Sequence, residues 1–542
     1  MPVLASKIDT TADSFKANRE AQLALISEFR AAEQRVRDNS NRQADKFAKR
    51  GQLLPRDRIA RLLDRGAPFL ELSTLAGYQM HDDDGRSDAA GGGFIAGVGF
   101  VSGVRCMVGA SDSAIKGGSV APMGLKKSLR AQDIAFEHKL PSISLIESAG
   151  ANLLYQSEIF VEGGRVFANM ARASAAGLPI VTVVHGSSTA GGAYQPGLSD
   201  YVIAVRGNAK VFLAGPPLVK AAIGEDADDE SLGGAELHAT VTGTAEYLAE
   251  NDAHALHLAR QVLAHLGRSP VTQLAGPTGP RPHRPPRYDI DELLGIVPTD
   301  FKKPYDTREV IARLVDDSDF LEFKALYGSS TVCGHAAIEG HACGILGNNG
   351  PITPDGATKA AHFIQLCCQS GSPILYLQNT TGYMVGSASE RAGMVKHGSK
   401  MIQAVANATV PQITLIIGGS FGAGNYGMCG RGYDPRFIFA WPGSRIGVMG
   451  GEQAAKVMEI ITVAKFERMG VKPDAEAMAA MGKSIRDKLD AESTALYATA
   501  RLWDDGIIDP RDSRRVLGIA LAMAREAEAR TLRPSTFGVA RM

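Results

Sequence analysis

Two stretches of this chain carry residue types suited to chemistry, and they are versions of one another. HGSSTAGGAY, His185 to Tyr194, follows the apolar run PIVTVV, and GGSFGAGNY, Gly418 to Tyr426, follows PQITLII. A strand that ends in glycines lets backbone come close to a ligand. Where a helix follows, its first N–H groups have no intrahelical partner and point outward. Two such groups converging on one point form an oxyanion hole, which stabilises charge developing on a carbonyl oxygen. A tight strand-to-helix connection explains one such turn equally well; two in register favour the chemistry. Side chains offer less. Ser187 and Ser188 lie near His185, but neither sits in a G-x-S-x-G elbow, so turn serines beside a strand-end histidine is the simpler reading. Glu147, at a strand end beside a glycine turn, is a candidate acid or base, and as easily a carboxylate hydrogen-bonded into a loop. No P-loop and no H-E-x-x-H occurs.

The elements that position these turns are duplicated too. Pro179 and Pro411 are 232 positions apart, as are Tyr194 and Tyr426, and Ala190, Gly191 and Gly192 lie over Gly422, Ala423 and Gly424. Upstream, LPSISLIESAG ends at Gly150 and SPILYLQNTTG at Gly382, with the same offset, and Lys127 falls on Lys359. A constant offset over such a span is an internal duplication. Each copy therefore presents two glycine-rich strand ends. Further upstream FLELSTLAGYQM matches FLEFKALYGSS, but Phe69 and Phe320 are 251 apart, which leaves 19 extra residues in the first copy before Lys127. The polar stretch HDDDGRSDAAGGG, His81 to Gly93, is the place for much of that excess and reads as a surface loop.

Apolar periodicity predicts helix from about Ser14 to Arg50. Short apolar strands alternating with helix-like stretches then indicate an α/β fold. AEYLAENDAHALHLARQVLAHL reads as one long helix closing the first copy, and the proline-rich GPTGPRPHRPPRYD as the linker after it. The expected domains are 1–276 and 288–542, joined by a linker at 277–287. A chain of 542 residues, 44% hydrophobic and 21% charged, suits two globular domains. Lys+Arg equals Asp+Glu at 58 each, so no basic field recommends nucleic acid or a membrane surface. No apolar run is long enough to span a bilayer, and the start reads as neither a secretory nor a transit segment; a cytoplasmic location is expected. The six cysteines show no C-x2-C spacing and read as reduced core thiols. No metal site is expected.

The chain resembles the carboxyltransferase (β) subunits of biotin-dependent acyl-CoA carboxylases. The stretches that carry the resemblance are KGGSVAPMGLKKSLRAQ, STAGGAYQPGLSD, FLAGPPLVKAA, LGGAELH, GILGNNG, QNTTGYMVG, IIGGSFGAGNYGMCGR and MGGEQAA, spread over nearly the whole chain. The resemblance implies a pair of crotonase-like (ClpP/crotonase) ββα-spiral domains, in agreement with the duplication. It implies an acyl-CoA thioester bound mainly by the N-terminal domain and carboxybiotin bound mainly by the C-terminal domain of a neighbouring subunit. CO2 is released in place, the biotin ureido nitrogen acts as base, and the thioester enolate attacks CO2. No side-chain nucleophile is then needed, but two oxyanion holes are. By motif, Ala151 with Gly191 and Gly192 would form the thioester hole, flanked by Gly150 and Ala190. Tyr383 with Ala423 and Gly424 would form the biotin hole, flanked by Gly382 and Gly422. Lys116 and the basic segment around Arg56 become candidates for CoA phosphates.

Within the family, Lys116, Pro122 and Leu125-Lys126-Lys127 resemble the methylcrotonyl-CoA and geranyl-CoA branch; the propionyl-CoA branch usually has an aromatic at the Lys116 position. Methylcrotonyl enzymes typically carry an aromatic in a HFGRIF-like stretch. Here the stretch is EGGRVF, and Gly163 removes that ring. A wider pocket suits a longer branched chain such as geranyl-CoA; an ordinary loop glycine is the plainer alternative. No biotin-accepting Met-Lys-Met and no ATP-binding carboxylase signature appears. The expected partner is therefore a separate α subunit carrying biotin and the biotin carboxylase, around a hexameric β core in an α6β6-type complex. The rival readings are a 3-methylcrotonyl-CoA or other acyl-CoA enzyme, and a non-catalytic CoA-binding scaffold for the α subunit.

Overall fold

The computed structural model describes residues 2–84, 88–266, 281–470 and 474–539. By internal contacts the chain forms two compact units: Ala31–Thr278 with Ala500–Leu502 and Arg525–Met542, and Met1–Arg30 with Gly279–Thr499 and Trp503–Ala524. The boundary expected at 276 and the first four residues of the linker lie outside the described residues.

The first unit is built on a sheet of strands β1 (Leu70–Leu72), β2 (Phe94–Val101), β3 (Val104–Ser111), β4 (Ser142–Ser148), β5 (Ile180–Thr189), β6 (Tyr201–Val205), β7 (Lys210–Phe212) and β8 (Tyr247–Ala249). Its order is β1-β2-β3-β4-β5-β6-β8, with β7 paired to the far end of β5. The first two pairings are antiparallel and the rest parallel. The second unit repeats this with β9 (Leu321–Glu322), β10 (Thr331–Ile338), β11 (His341–Asn348), β12 (Ile374–Thr380), β13 (Gln412–Phe421), β14 (Phe437–Ala440) and β15 (Arg445–Gly447), in the order β14-β13-β12-β11-β10-β9 with β15 on β13. The fold is thus a duplicated α/β arrangement, one copy in each unit, as the resemblance implies.

Burial explains the sequence pattern. The central parallel strands are covered on both faces, so they read as continuous apolar runs: β13 is buried at all ten positions. In the first unit Leu145, Val181, Val183 and Ile203 pack against Ile59 and Leu62 of the helix Pro55–Leu62 and against Leu256, Ala259 and Leu263 of the helix Asp252–His265. Five of the six cysteines are buried, and all are free thiols.

The duplication reaches individual contacts. A Cβ on Gly97 would lie 2.5 Å from Phe69 Cζ, and one on Gly334 would lie 2.4 Å from Phe320 Cζ. In each unit an antiparallel strand is bare where a phenylalanine ring lies across it. The expected helix at the N-terminus forms as Asp13–Asn41 and Ala44–Lys49. The expected long helix from Ala245 is corrected. Tyr247–Ala249 pairs with β6 as an edge strand, and the helix starts only at Asp252, where the Asn251 side chain accepts from the His254 N–H. A favourable local helix pattern yields here to a free sheet edge. No described helix is long and apolar enough to cross a membrane.

Gly97→Ala and Gly334→Ala should each destabilise the protein by about 1–3 kcal/mol through overpacking against the ring. Gly163→Ala, where a Cβ meets nothing within 4 Å, should be neutral or stabilising by up to about 1 kcal/mol. Urea titration followed by tryptophan fluorescence and circular dichroism checks both.

Candidate active site

Both glycine-rich turns stand where a parallel strand ends and a helical turn begins. β5 runs into a 3-10 turn at Ala190–Ala193, and β13 runs into the helix Gly422–Gly427. Beside each, the preceding strand ends in a second turn, at Gly150–Ala151 and at Gly382–Tyr383. The β4–β5 register shifts before Ser148↔Ser188, and the β12–β13 register shifts before Thr380↔Ser420, the same place in both copies.

The turns are held by matching bonds. Val120 pairs with Ala151 as an isolated parallel bridge, and Ile352 pairs with Tyr383. The Val120 N–H donates to Gly150 O at 2.9 Å, and Val120 O accepts from the Asn152 N–H at 3.1 Å; Ile352 does the same with Gly382 and Met384, both at 2.9 Å. The Gly150 and Gly382 N–H groups donate to Ser148 Oγ at 3.1 Å and Thr380 Oγ1 at 3.2 Å. The Gly150 carbonyl and the Ala151 N–H belong to one planar trans peptide, so the bond to Val120 aims the Ala151 N–H away from Val120. The same holds for Tyr383.

In each unit the two predicted turns pack against one another. A Cβ on Gly192 would lie 3.3 Å from Ser148 Cβ, and one on Gly150 would lie 3.7 Å from Ala190 Cβ. A Cβ on Gly424 would lie 2.8 Å from Gly382 Cα. That approach of two backbones leaves room for glycine alone. Ala190 holds a left-handed backbone (φ +53°), as does its counterpart Gly422 (φ +55°); the strain at alanine costs about 1 kcal/mol. Tyr383 offers its backbone only, because its hydroxyl donates to Gly398 O at 3.3 Å.

Of the remaining candidates, Lys116 and Gly163 lie near the first pair of turns. Lys116 opens a turn pressed on the end of β4: a Cβ on Gly118 would lie 2.1 Å from Glu147 O. Gly163 lies within the helix Gln156–Ala175, so it is not a loop glycine. Phe167, one turn on and on the same face, reaches to 3.9 Å from the position of a Gly191 Cβ. Gly163 is therefore on the side of its helix that faces the hole. Arg56 is engaged by Glu71 through two bonds of 2.9 and 3.1 Å, as Arg308 is by Glu322; the exposed cations of its segment are Lys46, Lys49, Arg50 and Arg61.

Glu147, Ser188 and His185 are framework. Glu147 accepts from Ser113 Oγ at 3.0 Å and from the buried Arg58 guanidinium at 3.4 Å. Ser188 Oγ donates to Gly192 O at 2.9 Å. His185 Nδ1 lies 2.7 Å from Asp252 Oδ1, and its Nε2 is buried without a hydrogen-bond partner among the described residues. Asp252 also accepts from Arg58 and from the Leu53 N–H. Burial would raise the Asp252 carboxyl, but His185 and Arg58 pull it down to about 2. Burial, with Arg58 nearby, pushes the His185 imidazole below its ordinary range. Sequence reasoning missed Asp252 and Arg58, which lie far from the motif along the chain; Ser148 and Thr380, 232 apart at matching strand ends, carried a signal.

In each repeat two glycine-rich strand-end turns meet, the arrangement that the oxyanion-hole reading requires. Residues 46–539 match the carboxyl transferase domain family. The chain belongs to that family. It is 47% identical, over all of its length and 95% of the relative's, to a probable methylcrotonoyl-CoA carboxylase beta chain of Drosophila melanogaster. It is also 47% identical, over the full length of both chains, to a probable biotin-dependent acyl-coenzyme A carboxylase beta2 subunit of Mycobacterium tuberculosis. Its fold matches the crystal structure of the P. aeruginosa geranyl-CoA carboxylase beta subunit with a TM-score of 0.93 and 61% identity over all of both chains. The protein is a carboxyltransferase subunit of the biotin-dependent acyl-CoA carboxylase type.

The framework predicts acid lability. The folded Asp252 carboxyl titrates below its ordinary 3.8, so its contribution, about 2 kcal/mol, is present above pH 4 and lost as pH falls toward 2. The neutral buried His185 adds a loss in the same direction below pH 6.5, where only the unfolded chain takes up the proton. Asp252→Asn should lower stability at pH 7 and flatten the slope between pH 4 and 2, as measured by denaturant titration across pH.

Proposed function

We propose that this subunit moves a carboxyl group from carboxybiotin to a 3-methyl-branched enoyl-CoA, most simply geranyl-CoA. The observation that carries the reading is the pair of equivalent backbone holes on the two repeats, joined to an open position at Gly163 on the helix beside the first. Ala151 with Gly191 and Gly192 hold the thioester oxygen, and their N–H groups favour the enolate over the ground state, which lowers the barrier to removing the proton next to the carbonyl. Tyr383, Ala423 and Gly424 receive the ureido oxygen in the second hole. Biotin, carried on a separate α subunit, supplies the activated carboxyl group when bound. The protein's own part is to bind, orient and polarise; no side chain need form a covalent bond.

Two consecutive glycines, Gly163 and Gly164, inside a helix cost about 1 kcal/mol each relative to alanine, and their neighbourhood is empty to 4 Å. That space supports a substrate longer than five carbons in its acyl part. The phosphates of CoA fall to the exposed cations Lys46, Lys49 and Arg50, and Lys116, paired with Asp82, stays at the thioester end. Assembly of a hexameric β core with α subunits, in the cytoplasm, completes the reading.

Gly163→Phe should lower kcat/KM for geranyl-CoA at least roughly tenfold while leaving 3-methylcrotonyl-CoA within a few-fold. The assay is ATP-dependent bicarbonate fixation with the α subunit present, and unchanged geranyl-CoA turnover would remove the pocket from that glycine. Ala423→Pro deletes one N–H donor and should reduce transfer roughly 100- to 1,000-fold with acyl-CoA binding intact. Full transfer by a folded Ala423→Pro enzyme would assign the second hole elsewhere and favour the scaffold reading.

A further inference from the structure

The two copies differ in length at two places only between their first phenylalanine and their buried lysine. Phe69 and the start of β2 at Phe94 are 25 positions apart, whereas Phe320 and the start of β10 at Thr331 are 11 apart. The end of β3 at Ser111 and Lys127 are 16 apart, whereas Asn348 and Lys359 are 11 apart. Between these gaps β2–β3 and β10–β11 keep one register, with Phe94 opposite Ser111 and Thr331 opposite Asn348. The first copy therefore carries an insertion of fourteen residues before β2 and another of five after β3. The first insertion holds His81 and Asp82. The second falls in the turn of Lys116.

The two insertions meet at the first hole. Lys116 Nζ lies 2.7 Å from Asp82 Oδ2. The same carboxylate accepts from Asn152 Nδ2 at 3.2 Å and from the Tyr155 hydroxyl at 3.0 Å. His81 stands edge-on to Tyr155, with centroids 5.0 Å apart, and its Nε2 lies 3.2 Å from Glu158. Asn152 follows Ala151 directly, and Val120, four residues after Lys116, is the bridge partner of Ala151. Lys116 itself holds a left-handed backbone (φ +47°) that residues other than glycine rarely adopt. Among the described residues none of this has an equivalent in the second copy, where Asn152 and Tyr155 are replaced by Met384 and Ser387 at the same offset.

We propose that Asp82 and Lys116, one from each insertion, form a collar peculiar to the acyl side, with Asp82 as its positioning residue. Asp82 holds the Lys116 ammonium and the Asn152 amide beside the Ala151 N–H and so fixes an acyl-CoA thioester in the hole, while the biotin half is left to the simpler second copy. This rests on the assignment of Ala151 to the thioester. Charge makes the arrangement specific. A bare carboxylate beside a forming enolate opposes it; Lys116 and two neutral donors cancel that opposition. Loss of Lys116 alone therefore harms more than loss of the Asp82 charge, and removing both charges together is the milder change.

The test uses the β subunit assembled with its α subunit, as wild type, Asp82→Asn, Lys116→Met and the double variant. Lys116→Met should lower kcat/KM for the acyl-CoA roughly 100-fold and Asp82→Asn roughly tenfold, and the double variant should return to the Asp82→Asn level. The KM for free biotin, measured in the reverse transfer from carboxylated acyl-CoA, should not move in any of them. A double variant worse than Lys116→Met, or a biotin KM that rises with the acyl-CoA effect, overturns the collar and leaves a purely structural ion pair. Binding of 3-methylcrotonyl-CoA by calorimetry is read on the same four proteins. Binding weakened in Lys116→Met and restored in the double variant upholds the collar, and binding equal in all four overturns it. A wild type that binds this thioester yet carboxylates no acyl-CoA overturns the functional reading and not the collar.

Discussion

A backbone N–H can polarise a substrate only when the peptide that carries it is held from its other side. In both repeats that peptide is held by one bond, from Val120 to Gly150 O and from Ile352 to Gly382 O. A peptide whose carbonyl is already an acceptor has a more strongly polarised N–H, because hydrogen bonds in series reinforce one another. The bridge thus sets both the direction and the strength of the donor. Much else serves it: the register shift at the strand ends, the hydroxyls of Ser148 and Thr380 under the glycine N–H groups, and the close packing of Gly424 on Gly382.

Beneath the first hole the framework is ionic and buried. Arg58, Glu147, His185 and Asp252 come from four separate stretches and link the ends of β4 and β5 to the helix Asp252–His265. Beneath the second it is neutral: Gln378 donates to Met428 O at 2.7 Å and accepts from Ser420, and Asn425 donates to Ser420 at 2.8 Å. The same backbone geometry is therefore held by two different chemistries. A buried ionic set is costly to break one member at a time, whereas a neutral amide set carries no charge to strand.

The sequence made the repeat legible because a constant offset survives wherever backbone must match backbone, from Lys127 and Lys359 to Tyr194 and Tyr426. It marked the two pairs of strand-end turns because glycine and alanine are the types that a close approach of backbones demands. It misjudged Tyr247–Ala249, whose local pattern favours helix and whose strand state depends on β6. It left Gly163 open as a loop glycine, an alternative that only the helix around it removes. The contacts of Asp82 and Asp252 were invisible for a simpler reason: both join segments that no local spacing relates.

The matched register has a consequence for how such a chain can vary. Between Val120 and Tyr194, and between Ile352 and Tyr426, the copies have kept step residue for residue, while fourteen residues have come or gone just before β2. Length varies ahead of β2, where the added residues dock by side chains such as Asp82, and is frozen where two strand ends must meet. Laboratory evolution of new acyl specificity in this scaffold accordingly has two separate alphabets: insertions and deletions ahead of β2, and side-chain substitution alone within the frozen span.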